Sequence, residues 1–365
     1  MQGVVKKVYI SILTCVIVMI TMVATTFAWV GILTTTSVGD FSLEIKSSNT
    51  GEDYELLIST DGTSFEREVS LMNIQKQILS NMGIDFEHTL TNPNDASAIS
   101  TYFNKAAKME PVSTSLINNQ LGNFYSLSKA KENNADFDES TKYFKFDLYL
   151  AIKPKVEIQE ETVINANLLL ASLENSLIGT NCSGTLINGN PFKNVSLADF
   201  KYPILKNLPN VITINSSSSA RFALSIYNPI NIKNDYTNET PVNTIIYQGG
   251  TNEPSLKDGI YSFGGILPEE YNLALKEFNS LYKTQYDIET MPEGRLNDFE
   301  LTSGENLLWQ KSIQNNDGPY FGIRNKVITK IKITVFFWYE GWDSDCLNFI
   351  NFKTTSLNLA FSVDL

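Results

Sequence analysis

Three carboxylates crowd one short stretch, Glu340-Gly341-Trp342-Asp343-Ser344-Asp345-Cys346. Oxygen donors so close together suit a hard divalent cation, and calcium takes several carboxylates from a single loop. Glu340, Asp343 and Asp345 are therefore the candidate metal ligands, and calcium is the one cofactor the sequence suggests. The EF-hand spacing is absent. An Asp-Ser-Asp run also orders a turn through side-chain to backbone hydrogen bonds, so a purely structural turn stands beside the metal reading. Trp338 and Trp342 flank the loop, either as core and lid residues or as a platform for a sugar ring.

Catalytic patterns are missing elsewhere. His88 is the only histidine and falls in a loop-like stretch, Ile84 to Glu110. With one imidazole, a zinc site or a nucleophile–histidine triad has to be built around that residue. Neither GxSxG nor HExxH occurs, nor a phosphate loop, nor a dinucleotide fingerprint. A glycosidase needs only two carboxylates, and among 40 acidic residues no pair stands out. The expectation is no enzyme and no catalytic residues.

Of the three cysteines, Cys15 lies in an apolar N-terminal run. Cys182 and Cys346 lie beyond it and form the candidate disulfide. Bridging them closes a loop of about 160 residues, worth about 4–5 kcal/mol in the chain-entropy model; two buried thiols are the alternative. Asn181, Asn194, Asn215 and Asn238 each open a glycosylation sequon.

The segment that would set the compartment of these groups is Val8 to Leu33, which carries no charge and follows Lys6 and Lys7. About 20 apolar residues cross a bilayer as a helix, and flanking lysines keep the N-terminus cytoplasmic. The segment reads either as an uncleaved transmembrane anchor or as a signal with cleavage between Ala28 and Trp29. Both readings export the rest of the chain, giving an extracellular or cell-surface location with the membrane as a partner through residues 8–33. The formal charge of −12 excludes nucleic acid, whose phosphates require a basic footprint.

After the apolar run, residues alternate with period two over Phe41 to Lys46 and again at Tyr54 to Thr60, which reads as a hairpin. Ser70 to Met82 has helical spacing, with Gly83 as its stop. Phe144 to Ile152 is the strongest strand. Val163 to Leu173, Val211 to Ile214 and Arg221 to Tyr227 follow as strands, the last two separated by Ser216 to Ser219. Asn231 to Gly265 reads as loops and Pro268 to Tyr282 as a helix. Val327 to Tyr339 and Ser356 to Val363 close the chain as strands. Strands at both ends with inserts between them predict a mainly β protein, a β-sandwich. The expected organisation is an export segment over 1–33 and one domain over 34–365, with inserts at about 66–140 and 231–322.

Three stretches carry a family resemblance: Ala24 to Val30 (ATTFAWV) leading into TSVGDFSLEI, Glu55 to Phe65 (ELLISTDGTSF), and Phe336 to Cys346 (FFWYEGWDSDC). The first resembles the signal boundary of exported surface proteins of Gram-positive bacteria, the TasA/camelysin-like group. The other two look like related firmicute and mollicute surface proteins. The resemblance implies a jelly-roll-like β-sandwich and assembly into matrix fibres, with the segment Trp29 to Ile45 added as a strand to the next subunit. The expected function is thus an exported structural protein of the cell surface, self-associating or bound to a cell-surface partner. An anchored adhesin or glycan- or protein-binding module is the alternative, followed by a viral membrane-associated minor capsid protein or a glycosidase.

Overall fold

Val327–Glu340 is one 14-residue strand, and its alternation separates two environments. Ile331, Ile333, Val335 and Phe337 are fully buried in the main core, whereas Lys332 and Phe336 on the opposite face are half-buried. A strand long enough to reach across the molecule has room for several partners, and the fold is built on it. The structure, a computed structural model, describes residues 42–47, 53–114, 116–117, 119–126, 140–157, 162–171, 176–185, 209–237, 239–249, 255–262, 307–311, 318–341, 343, 346 and 355–365.

In chain order the strands are β1 (Ser42–Ser47), β2 (Tyr54–Ser59), β3 (Pro111–Ser113), β4 (Leu116–Ile117), β5 (Gln120–Leu121), β6 (Tyr125–Ser126), β7 (Phe144–Pro154), β8 (Ile164–Asn165), β9 (Asn167–Leu170), β10 (Ser176–Gly179) and β11 (Asn181–Thr185). They continue as β12 (Val211–Asn215), β13 (Ala220–Ile226), β14 (Ile230–Asn231), β15 (Asn243–Gln248), β16 (Ser255–Lys257), β17 (Ile260–Ser262), β18 (Leu307–Trp309), β19 (Gly322–Arg324), β20 (Val327–Glu340) and β21 (Thr355–Asp364). Two helices, α1 (Leu71–Asn81) and α2 (Ala96–Ala106), lie between β2 and β3.

The largest sheet has ten strands, with β20 paired to β7 along one edge and to β13 along the other. β2 extends it beyond β7, and β15 beyond β13. A five-stranded sheet is organised on β21, which pairs with β1, β9 and β10. Ile45, Leu168, Leu357, Leu359 and Phe361 join the inner face of the large sheet and both helices in one core. A four-stranded sheet (β11, β12, β17, β16) and a two-stranded one (β4, β5) complete the set among the described residues.

Helix α1 seals an edge. β2 stops pairing at Ser59 opposite Tyr149, so β7 continues N-terminally without a strand on that side. The Gln77 side chain takes the strand's place: Oε1 accepts from the Asp147 amide at 2.7 Å and Nε2 donates to the Asp147 carbonyl at 3.2 Å. Asn81 Nδ2 donates to the Lys145 carbonyl at 2.8 Å. Four helical residues rise about 6 Å and two strand residues about 6.6 Å, so side chains four apart on α1 match carbonyls two apart on β7. Gln77→Ala removes both bonds to Asp147 and costs about 1–3 kcal/mol. The measurement is urea unfolding, with light scattering at rising concentration to detect pairing through the bared edge.

Several expectations are corrected. Among the described residues the strands do not close into a jelly-roll barrel; they form a mixed β and loop fold of open sheets with three parallel pairs, β1 with β21, β3 with β20 and β12 with β17. The hub strand β20 gathers partners into one wide sheet, and a helix covers its edge where barrel closure would have removed it. β1 and β2 do not form a hairpin, because β1 runs parallel beside β21 while β2 pairs with β7. The loop-like stretch around His88 contains α2, capped by Asp95, whose carboxylate accepts from the amides of Ser97 and Ala98.

The membrane segment Val8 to Leu33, the cleavage position Ala28–Trp29 and the helix expected at Pro268 to Tyr282 all lie outside the described residues. Among the described residues no helix is long and apolar enough to cross a membrane, since α1 and α2 have 11 residues each. That length falls well short of the roughly 20 residues a span requires. The expectations of an anchor, a signal peptide, a membrane partner and a cell-surface location, and with them the anchored or fibre-forming structural protein, are corrected to what the described residues show, which is no membrane-spanning helix to carry them.

Candidate functional site

Of the carboxylates singled out in the sequence, Glu340 and Asp343 stand at the end of β20, and both are inside the protein. Asp343 and Arg221 form an ion pair at 2.6 Å with side chains 0% and 1% exposed. Arg221 stands opposite Trp338 in the β13–β20 register. From there its Nη1 also donates to the carbonyls of Ala220 and Ser218. Glu340, fully buried, accepts from Trp338 Nε1 at 3.1 Å. Asp345 and Trp342 lie outside the described residues. Among the described residues no group of three or more His, Cys, Asp or Glu side chains is placed to hold a metal ion. Asp343 faces a guanidinium, a cation already supplied by the chain, and its loop is a turn closed by amide donation from Asp343 to the Glu340 carbonyl and from Cys346 to the Asp343 carbonyl.

Ser216 to Ser219 form a buried turn between β12 and β13 beneath this ion pair. Asn215 orders it, its Oδ1 accepting from the amide and hydroxyl of Ser217. Asn215 Nδ2 donates to Asn181 Oδ1, so two of the sequon asparagines are bound to each other. The turn packs so closely on Gly179 and Gly249 that a Cβ at either position would collide with the Ser217 backbone. A chain of hydroxyls leads away from it: Ser216 Oγ to Thr355 Oγ1 at 3.4 Å, then Thr355 Oγ1 to the Tyr339 hydroxyl at 2.8 Å. Burial pushes the Tyr339 hydroxyl up to about 12. Cys182 is buried on β11 and Cys346 is partly exposed, both as thiols. Burial, with Asp343 and Glu340 nearby, pushes the Cys346 thiol up to about 12.

A second concentration of charge lies on the outer face of the β7–β20 pair. Asp147 accepts from Thr334 Oγ1 at 2.6 Å and pairs with Lys332 at 2.9 Å. Lys145 sits 5.5 Å over the Phe336 ring, Lys332 5.1 Å over Tyr227 and Lys330 5.5 Å over Tyr149. These are cross-strand and diagonal neighbours, the pairs that stabilise a sheet. Lys330 is buried and donates to the Gly62 carbonyl at 3.0 Å; burial pulls its ammonium down. Tyr236 repairs the ladder where Pro229 interrupts it, donating to the carbonyls of Asn228 and Lys330 and accepting from the Lys332 amide. The ring faces on this side are thus occupied by lysines of the same chain.

Asp61 closes the turn beside Lys330. Burial acts upward on its carboxyl, but donation from the Ser64 amide, the Ser59 hydroxyl and the Thr63 amide outweighs it and holds the group well below the usual carboxylate range. A depressed carboxyl contributes stability above its unfolded value, near pH 3.9, and loses it as pH falls toward the folded value. Asp61→Asn is expected to flatten the acid limb of the stability curve below about pH 4, measured as melting temperature against pH; an unchanged acid limb would contradict the assignment.

His88 is exposed and its Nδ1 lies 3.0 Å from the Asp85 carboxylate. The hydrogen bond to Asp85 raises the imidazole value. The sequence reading missed Arg221, the serine turn and the hydroxyls of Tyr339 and Thr355. One signal was present: an arginine second in a largely apolar strand, parted from four serines only by Ala220.

Comparison with protein-family models, with curated proteins and with solved structures found no match. The family resemblance therefore rests on the quoted motifs alone.

Proposed function

We propose that this chain acts without covalent chemistry, as a non-catalytic β-scaffold. The observation that supports this is where its charged groups are engaged. Asp343 is held by Arg221, Glu340 by Trp338, Asp147 by Lys332 and Thr334, and Asp61 by its own turn. His88 is bonded to the carboxylate of Asp85, three residues before it. A general acid, base or nucleophile must reach a substrate proton or carbon directly, whereas the buried carboxylates Glu340 and Asp343 are engaged by groups of the same chain.

The test is chemical labelling of the folded full-length protein with a fluorophosphonate and, separately, with iodoacetamide at neutral pH. The expected result is no stoichiometric adduct with the fluorophosphonate and alkylation of Cys182 and Cys346 only after denaturation. Rapid labelling of one serine or of either of these thiols in the folded protein would overturn the proposal. Calcium and EDTA are expected to leave the melting temperature unchanged; an upward shift with calcium would restore the metal reading of Glu340 and Asp343.

A further inference from the structure

Aspartate stands directly before glycine at Asp61-Gly62, Asp258-Gly259 and Asp317-Gly318. In such a pair the glycine has no side chain to shield its amide nitrogen from the neighbouring carboxyl. Asp317 lies outside the described residues. The other two pairs sit in opposite surroundings. Asp258 and Gly259 are the whole loop of the β16–β17 hairpin, between Lys257 and Ile260, which pair with each other. Their φ angles, +53° and +79°, are those of the type I′ turn that suits the twist of the flanking strands. Both residues are exposed, and a Cβ at Gly259 would meet nothing within 4 Å. The ladder bonds belong to the flanking residues. Among the described residues the Gly259 amide and the Asp258 carboxylate have no hydrogen-bond partner. Asp61-Gly62, by contrast, is locked. The Gly62 amide donates to Ser59 Oγ at 2.9 Å, and Asp61 Oδ1 accepts from the Ser59 hydroxyl and from the amides of Thr63 and Ser64, each at 2.7 Å. Gly62 is also buried, with Lys330 Nζ 3.2 Å from where a Cβ would stand.

We propose that Asp258 is a site of spontaneous covalent modification, where the folded chain isomerises to isoaspartate while Asp61 does not. The change is one the chain undergoes, not one it performs on a substrate. The Gly259 amide nitrogen attacks Asp258 Cγ. A carbon–nitrogen bond forms, and the carboxylic hydroxyl leaves as water with the amide proton, giving a cyclic imide. Water then adds to one of the two ring carbonyls. Addition at Cγ restores aspartate. Addition at the main-chain carbonyl leaves the chain running through Cβ and Cγ, with a free carboxylate on Cα. No oxidant or reductant takes part. At Asp61-Gly62 the attacking nitrogen and the carboxyl are both engaged, and four hydrogen bonds stand in the way. Each bond that has to break first slows closure by up to about tenfold. The hairpin tolerates the product, because all three residues of β16 are exposed.

The experiment holds the full chain at pH 6 and 37 °C, folded and, in parallel, unfolded in guanidinium chloride, until the unfolded sample shows isoaspartate at both positions. Peptide mapping with electron-transfer fragmentation locates the β-linked residue. Methyl transfer from S-adenosylmethionine by an isoaspartate methyltransferase measures its amount. In the folded chain isoaspartate is expected at Asp258, ahead of Asp61 by about a hundredfold. In the unfolded chain the two positions convert alike. A species lighter by one water, the imide, is expected in the same peptide as Asp258. Asp258→Glu, which cannot close the five-membered ring, removes the signal from that peptide. Equal conversion at Asp258 and Asp61 in the folded protein, or none at Asp258 while the unfolded chain converts, overturns the proposal.

Discussion

Arg221→Met is expected to destabilise the protein by about 3–5 kcal/mol, because it leaves the Asp343 carboxylate buried without its counter-charge. The Asp343 side chain has no exposed surface and sits 2.6 Å from the guanidinium. The double variant Arg221→Met with Asp343→Leu is expected to recover most or all of that loss. Desolvating two ions costs several kcal/mol each, and a well-packed apolar pair avoids it. Arg221 is also incompletely satisfied, since its Nε has no hydrogen-bond partner among the described residues. Urea unfolding of the wild type, the two single variants and the double variant closes the cycle. The double variant also separates structural from chemical use of these residues: a stable double variant with unchanged labelling behaviour is what a scaffold predicts. If each single variant costs under about 1 kcal/mol, the pair behaves like a surface contact, and the buried cluster is misplaced.

This cluster shows where sequence reading ends. The acidic run at Glu340 to Asp345 was visible as a concentration of charge, and its position at the end of a strand was visible too. What the spacing could not contain was Arg221, which lies more than a hundred residues earlier and meets Asp343 only because β13 and β20 pair in register. Partners fixed by long-range strand pairing leave no local periodicity. Periodic elements were legible for the opposite reason. Ile74, Ile78 and Met82 bury one side of α1, Leu71 at its first turn stays exposed, and Gly83 takes φ +71° just after Met82, so the helical spacing holds from Ile74 onward. Phe144 to Ile152 and Val327 to Tyr339 alternate because each has one face in the main core.

The errors follow the same logic. Asn243–Gln248 falls within a stretch that reads as loop because its short run, NTIIYQ, is flanked by Asn, Thr, Gly and Pro, yet it is β15 at the border of the large sheet. Its place is set by β13, whose Phe222 stacks on Tyr247 with centroids 4.7 Å apart. The N-terminal pair Ser42–Ser47 and Tyr54–Ser59 are adjacent in sequence and invite a hairpin. The pairing actually made puts Ile45 into the core beside β21, 3% exposed, a parallel contact across almost the whole described chain. Sheet membership is decided by which edges remain open once the long strands have paired, and a single sequence does not record that.

The second large effect tests the two-faced character of β20 itself. Phe337→Ala is expected to cost about 3–5 kcal/mol. Its side chain is fully buried. It lies in register between Phe222 on β13 and Phe144 on β7, with ring centroids 6.3 Å from Phe144 and 6.0 Å from Tyr339. Removing it opens a cavity at the junction of three strands that the rigid neighbours cannot fill. Phe336→Ala, one residue earlier on the same strand, is expected to cost roughly 1–2 kcal/mol. Its ring is half-buried beneath Lys145 and beside Phe124, and its loss bares a surface that water can reach. The comparison is made by urea denaturation at one temperature, reading midpoint and slope together. A ratio well above one with an unchanged slope supports the assignment of Phe337 to the main core and Phe336 to the outer ladder. Equal losses would mean that the smaller cluster of Val112, Phe124, Ala223, Ile246 and Trp338, against which Phe336 packs on the outer face, is closed as tightly as the main core.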